Sequence, residues 1–112
     1  MLDAILNLIF PPRCPVCNKY VEQAGQWCPN CLDKTMKIHQ LPLSPDMASI
    51  FRGGVWCLGV YEGPLKELIA AVKFDRKRSA VKSLQCFVEH GLSQIDLPPI
   101  DYAMPVPLHN LW

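Results

Sequence analysis

Cys14, Cys17, Cys28 and Cys31 form two Cys-x-x-Cys pairs, with residues 18–27 between them. Each such turn presents two sulfurs from one tight loop, and two turns supply the four thiolates of a tetrahedral zinc site. Pro15 and Pro29 directly follow the first cysteine of each pair, where a fixed φ holds the turn in shape for its sulfurs. One pair alone fits many folds. Two at this distance have the spacing of a treble-cleft or ribbon-type zinc knuckle, so these four cysteines are read as ligands of structural zinc.

Other uses of the cysteines fit less well. A disulfide framework belongs to an oxidising compartment. The Met1-Leu2-Asp3 start has no basic region, and the apolar run Ile5–Phe10 meets Pro11-Pro12 rather than a small-residue cleavage site. A thioredoxin-like redox pair follows a buried strand and opens a helix, whereas both pairs here lie in Pro-, Asn- and Gly-containing sequence. Cys57 and Cys86 have no evident partner and read as small buried hydrophobes. A reduced, cytoplasmic setting is the expectation. No apolar stretch reaches the length of a membrane span. Eleven basic against ten acidic side chains, a net charge of +1, argue against a chain whose main task is coating nucleic acid.

Along the chain, Leu2, Ile5, Leu6 and Ile9 fall at helical spacing, with Asp3 as a cap and Pro11-Pro12 as the stop. This apolar face is expected to cover the zinc unit or the domain after it. Residues 40–54 are rich in Pro, Ser and Gly and read as a linker or irregular connection. Residues 55–61 are apolar on both faces, as in a strand buried on both sides. Pro64 suits the first turn of a helix whose buried stripe is Leu65, Leu68, Ile69 and Val72. A second helix fits residues 79–95, with Val81, Leu84, Val88, Leu92 and Ile95 inward. Residues 100–106 read as a buried strand. The order strand, helix, helix, strand suggests an α/β segment. The expected division is 1–38, N-terminal helix and zinc ribbon; 39–54, linker; and 55–112, the α/β part.

Several features fall in one order: Phe10-Pro11, Cys14-Pro-Val-Cys17, Trp27-Cys28-Pro-Asn-Cys31, Tyr61-Glu-Gly-Pro-Leu65, Lys73-Phe74 and Met104-Pro-Val-Pro-Leu-His109. In this the chain resembles the N-terminal half of the ComF family, competence-associated, GntX-like proteins. Their members join a zinc ribbon to a type I phosphoribosyltransferase domain. The resemblance implies a small zinc ribbon followed by an incomplete α/β, Rossmann-like phosphoribosyltransferase segment, in a family linked with DNA uptake and utilisation. It also implies that Val106, Pro107, Leu108 and His109 form a pyrophosphate-approaching loop and that Lys73 is a phosphate contact. The residues alone suit a proline-broken strand end with a solvated His109, and a basic run (Lys73, Arg76, Lys77, Arg78, Lys82) on a solvated helix surface.

Phosphate loops need glycine- and threonine-rich backbone at a helix N-terminus. Gly53-Gly54 lacks neighbouring Ser or Thr, and no acidic pair is present for ribose hydroxyls or magnesium. The expectation is a truncated family member, or one piece of a longer protein, that is catalytically incomplete by itself. Phosphoribosyl pyrophosphate and magnesium would belong only to a complete member. The exposed edge of its sheet would then favour self-association or a protein partner. A second reading is a non-enzymatic zinc-ribbon module that binds a protein or single-stranded nucleic acid. Its support is Arg13, Lys19, Lys34, Lys37, Tyr20 and Trp27. Trp27, next to Cys28, is read as packing over the metal site rather than binding a base, and His39 and His90 are not read as ligands.

Overall fold

The computed structural model describes Ile5 and residues 8–106. Its first unit is a short hairpin in which Arg13 and Tyr20 form an antiparallel bridge. The Cys14 amide donates to the Lys19 carbonyl at 2.8 Å, and the Val21 amide to the Pro12 carbonyl at 3.0 Å. Asn18 closes the turn with φ of 66°, a left-handed conformation that asparagine tolerates better than most residues. Helix α1, Pro29–Thr35, leaves the second cysteine pair, with Cys28 as its N-cap and a proline in its first turn.

Strand β1, His39–Gln40, pairs antiparallel with β2, Trp56–Cys57, setting His39 opposite Cys57 and Gln40 opposite Trp56. Between them lies α2, Pro45–Ile50, capped by Ser44, whose hydroxyl accepts from the Met47 amide. Residues 40–54 are therefore not wholly irregular: Ser44-Pro45-Asp46 carries a helix-start signal that the local Pro and Ser content obscured.

Two longer helices come next: α3, Gly63–Lys73, and α4, Arg78–Ser93. They are joined through Arg76, which has φ of 52°. The α3 stripe is as expected, with Leu65 and Leu68 buried and Ile69 and Val72 packed beside them. The α4 stripe is offset. Ala80, Ser83, Phe87 and Gly91 are buried, Leu84 and Ile95 are half-buried, and Val81, Val88 and Leu92 are exposed. The reason is closeness of approach. A Cβ on Gly91 would sit 2.8 Å from the Leu58 side chain, so the small residues let α4 lie against the ribbon and set its rotation.

Three further expectations are corrected. Residues 55–61 contain only the two-residue β2, with Trp56, Val60 and Tyr61 exposed rather than buried on both sides. Residues 100–106 form no strand, and Ile100, Tyr102, Met104 and Val106 are exposed. A parallel strand needs a hydrogen-bonding neighbour, and the described residues contain one sheet, the antiparallel pair β1–β2, besides the isolated antiparallel bridge Arg13–Tyr20. The part after the ribbon is thus small and helical, and its described residues form no parallel sheet of a Rossmann-like fold. Ile5, Leu8 and Ile9 are helical but exposed, and do not cover the zinc unit; Leu2, Asp3 and Leu6 lie outside the described residues.

One core joins these pieces. Cys14, Trp27 and Cys28 from the ribbon are buried together with Leu65 and Leu68 of α3 and Ala80 and Phe87 of α4. None of the described helices is long and apolar enough to cross a membrane.

Candidate metal centre

The hairpin and the start of α1 bring the two cysteine pairs to one point. The ligand atoms of Cys14, Cys17, Cys28 and Cys31 all lie within 4.8 Å of one another. The Sγ atoms of Cys17 and Cys28 are 3.4 Å apart. Zn–S bonds of about 2.3 Å in a tetrahedron place sulfurs about 3.8 Å from each other, so the group has the dimensions of a zinc site. Cys14 and Cys28 are buried, Cys31 is half-buried and Cys17 is exposed. The backbone organises the sulfurs as well, since the Cys31 amide donates to Cys28 Sγ at 3.4 Å.

The thiols divide by acidity. Burial pushes Cys14 up, but the backbone amides of Cys17, Cys28 and Val16, with the Cys17 side chain, outweigh it and bring its pKa down to about 6. Cys28 is lowered, first by the Cys31 amide and then by the Cys31 thiol. Cys31 is pushed up to about 12, first by the adjacent Cys28 sulfur, then by burial and by the Cys17 and Cys14 side chains. Cys31 resists ionising because its charge would meet those already on the neighbouring sulfurs. A divalent cation removes that repulsion, which is why this donor set suits a metal.

Trp27 fixes the site to the rest of the molecule. It is 3% exposed, its Nε1 donates to the Ser83 carbonyl at 2.8 Å, and its ring centroid lies 5.2 Å from that of Phe87. Gly25, just upstream, has φ of 87°, and a Cβ there would lie 2.8 Å from the Lys82 carbonyl oxygen. Only glycine meets both conditions. Sequence reasoning placed Trp27 over the metal site but missed the seat on α4; the bulky Trp27 beside Cys28 was the available signal.

The other candidates stand elsewhere. Lys73 is in the last turn of α3, exposed, with Nζ 5.6 Å from the Phe74 ring. Val106 is exposed in an irregular segment, and Pro107, Leu108 and His109 lie outside the described residues. His39 is exposed on β1, and His90 is exposed on α4, 2.7 Å from the Gln94 amide nitrogen. Cys57 and Cys86 are half-buried and apart from the four-cysteine group.

A hairpin knuckle and a helix-start knuckle that converge four cysteines define a zinc ribbon. The chain belongs to the double zinc ribbon domain family, whose model matches residues 5–60. No curated protein and no solved structure matches the chain significantly.

Proposed function

We propose that Cys14, Cys17, Cys28 and Cys31 hold a structural zinc ion, and that the chain is the zinc-ribbon and opening helical portion of a ComF-like protein. The observation that carries the metal reading is the convergence of four sulfurs within 4.8 Å. With four protein sulfurs no coordination position is left for water or substrate, so the ion's work is to fold the ribbon, not to do chemistry. The ComF-like part of the reading is supported by the order of motifs: a ribbon match over residues 5–60, then Tyr61-Glu-Gly-Pro-Leu65 and Met104-Pro-Val-Pro-Leu-His109. In a complete relative, Lys73 and the Val106–His109 segment would serve the pyrophosphate, with magnesium. These residues alone carry no Thr- and Gly-rich phosphate loop and no acidic pair, so no transfer activity is assigned to them.

The alternative, a module that binds single-stranded nucleic acid, would use Arg13 and the exposed Tyr20. Their groups are engaged with each other: the guanidinium lies 4.2 Å from the Tyr20 ring centroid and donates to the Tyr20 hydroxyl at 2.7 Å.

Zinc analysis of the purified chain and of Cys14→Ser and Cys28→Ser tests the metal assignment. Wild-type chain is expected to carry zinc and each variant to lose it, with unfolding of roughly the first thirty residues. Full zinc content in either variant refutes the ligand set. Calorimetric titration with phosphoribosyl pyrophosphate and magnesium is expected to show no saturable binding. Saturable binding would return the activity to this chain. Salt-dependent binding of an oligonucleotide would favour the alternative.

A further inference from the structure

The family description names two ribbons, but residues 5–60 hold the sulfur and imidazole ligands for one. Besides Cys14, Cys17, Cys28 and Cys31, that span contains only Cys57 and His39 as further thiol or imidazole donors. The two are cross-strand partners in β1–β2, so each strand supplies one donor where a knuckle supplies two. His39 Nδ1 is 2.8 Å from the Lys37 carbonyl oxygen. Among the described residues, Cys14, Cys17, Cys28 and Cys31 form the only converging group of three or more His, Cys, Asp or Glu. Two donors do not complete a structural tetrahedral site. The residues around β1–β2 therefore do not fit a second zinc.

The second unit is held by other means. Its strands are linked by the Leu41 amide donating to the Val55 carbonyl at 2.9 Å and the Lys37 amide to the Leu58 carbonyl at 2.8 Å. The chain just after β2 lies against the helices. Leu58 fills the space left by Gly91, and Gly59 is so close to α3 that a Cβ there would sit 2.7 Å from Leu65 Cδ2. That same Cβ would lie 3.5 Å from Phe87 Cζ. Two strands of two residues each are too short to persist alone, so these contacts are what fix them.

We propose that residues 36–60 form a metal-free ribbon. Its strand pair is clamped by Leu58 on Gly91 and by Gly59 on Leu65, in place of a second zinc, and the chain holds one zinc ion. This rests on the zinc reading above, and the test separates the two. Native mass spectrometry of the full chain, saturated with zinc and then freed of excess, is expected to show one ion per chain. Two ions overturn the metal-free ribbon and leave the four-cysteine site standing. No ion overturns both.

The double variant His39→Ala/Cys57→Ser is expected to keep one zinc and to leave exchange of the Lys37 and Leu41 amides within about threefold of wild type. Loss of zinc, or exchange more than tenfold faster, assigns those side chains a metal and refutes the proposal. Leu58→Ala is expected to keep one zinc while those two amides exchange at least tenfold faster. Unchanged exchange refutes the clamp.

Discussion

Trp27 is the residue at which the ribbon and the helices meet, and its removal has a calculable effect. The side chain is 3% exposed, so Trp27→Ala strips a whole indole from between the cysteine pairs and α4. Truncations of this kind cost about 3–5 kcal/mol. For a domain of this size about 1 kcal/mol shifts the midpoint by about 4 °C, so the melting temperature is expected to fall by about 12–20 °C. Trp27→Phe separates two contributions. It retains an aromatic ring against Phe87, whose centroid is 5.2 Å away, and deletes the hydrogen bond to Ser83. Ser83 lies inside α4, where helix geometry gives its carbonyl a second donor. No orphan acceptor results, and the cost is about 1–2 kcal/mol, or about 4–8 °C. Both variants are melted in the zinc-loaded state, followed by far-ultraviolet circular dichroism. A Trp27→Ala midpoint within about 3 °C of wild type would refute the shared core, and equal losses in the two variants would refute the division between packing and hydrogen bond.

Gly25→Ala meets both a left-handed φ of 87° and a backbone carbonyl 2.8 Å away, and is expected to cost about 2–4 kcal/mol by denaturant titration. Gly63→Ala, with φ of 57° but open space around it, should cost only about 1–2 kcal/mol; equal costs would mean that Gly25 is not packed against α4. The rotation of α4 is tested by Phe87→Ala, expected to lose about 3–5 kcal/mol, against Leu92→Gln, expected to change stability by about 0.5 kcal/mol or less. A large loss for Leu92→Gln would restore the stripe read from periodicity. Zinc chelation is expected to speed exchange of the Cys14 and Val21 amides, which pair with Lys19 and Pro12 in the first hairpin. Protection that survives chelation would show that the hairpin does not depend on metal.

The legible parts of this fold are those fixed by local chemistry. The two cysteine turns converge because each is a short, self-contained loop, and spacing alone reports that. The α3 stripe and the starts of α3 and α4 follow from periodicity and from Pro64, within a residue or two. What went unread depends on neighbours. Apolar content along 55–61 and 100–106 is compatible with buried strands, but a strand also needs a partner at its edge, which its own residues do not announce. The α4 stripe was misplaced for a related reason. Summed hydrophobicity favours Val81, Val88 and Leu92, whereas close approach to Leu58 and Trp27 favours Ala80, Ser83 and Gly91. Nothing in α4 itself says that a glycine will meet a leucine from another segment.

The zinc ribbon supplies part of that placement. Trp27 is the chain neighbour of Cys28, and Cys28 is both a sulfur of the four-cysteine group and the N-cap of α1. Fixing that sulfur in a tetrahedron fixes the backbone direction on either side of it. The indole next to it lies against α4, with Nε1 donating to the Ser83 carbonyl at 2.8 Å. Gly25 adds a second constraint two residues upstream, since its conformation lets the chain lie directly on the Lys82 carbonyl. Among the described residues the buried apolar core numbers seven, three of them from the ribbon, and so small a core would order poorly by hydrophobicity alone. A zinc ion held as proposed by the four cysteines would supply the directional restraint this core lacks, and the helices would then depend on the ribbon for their placement.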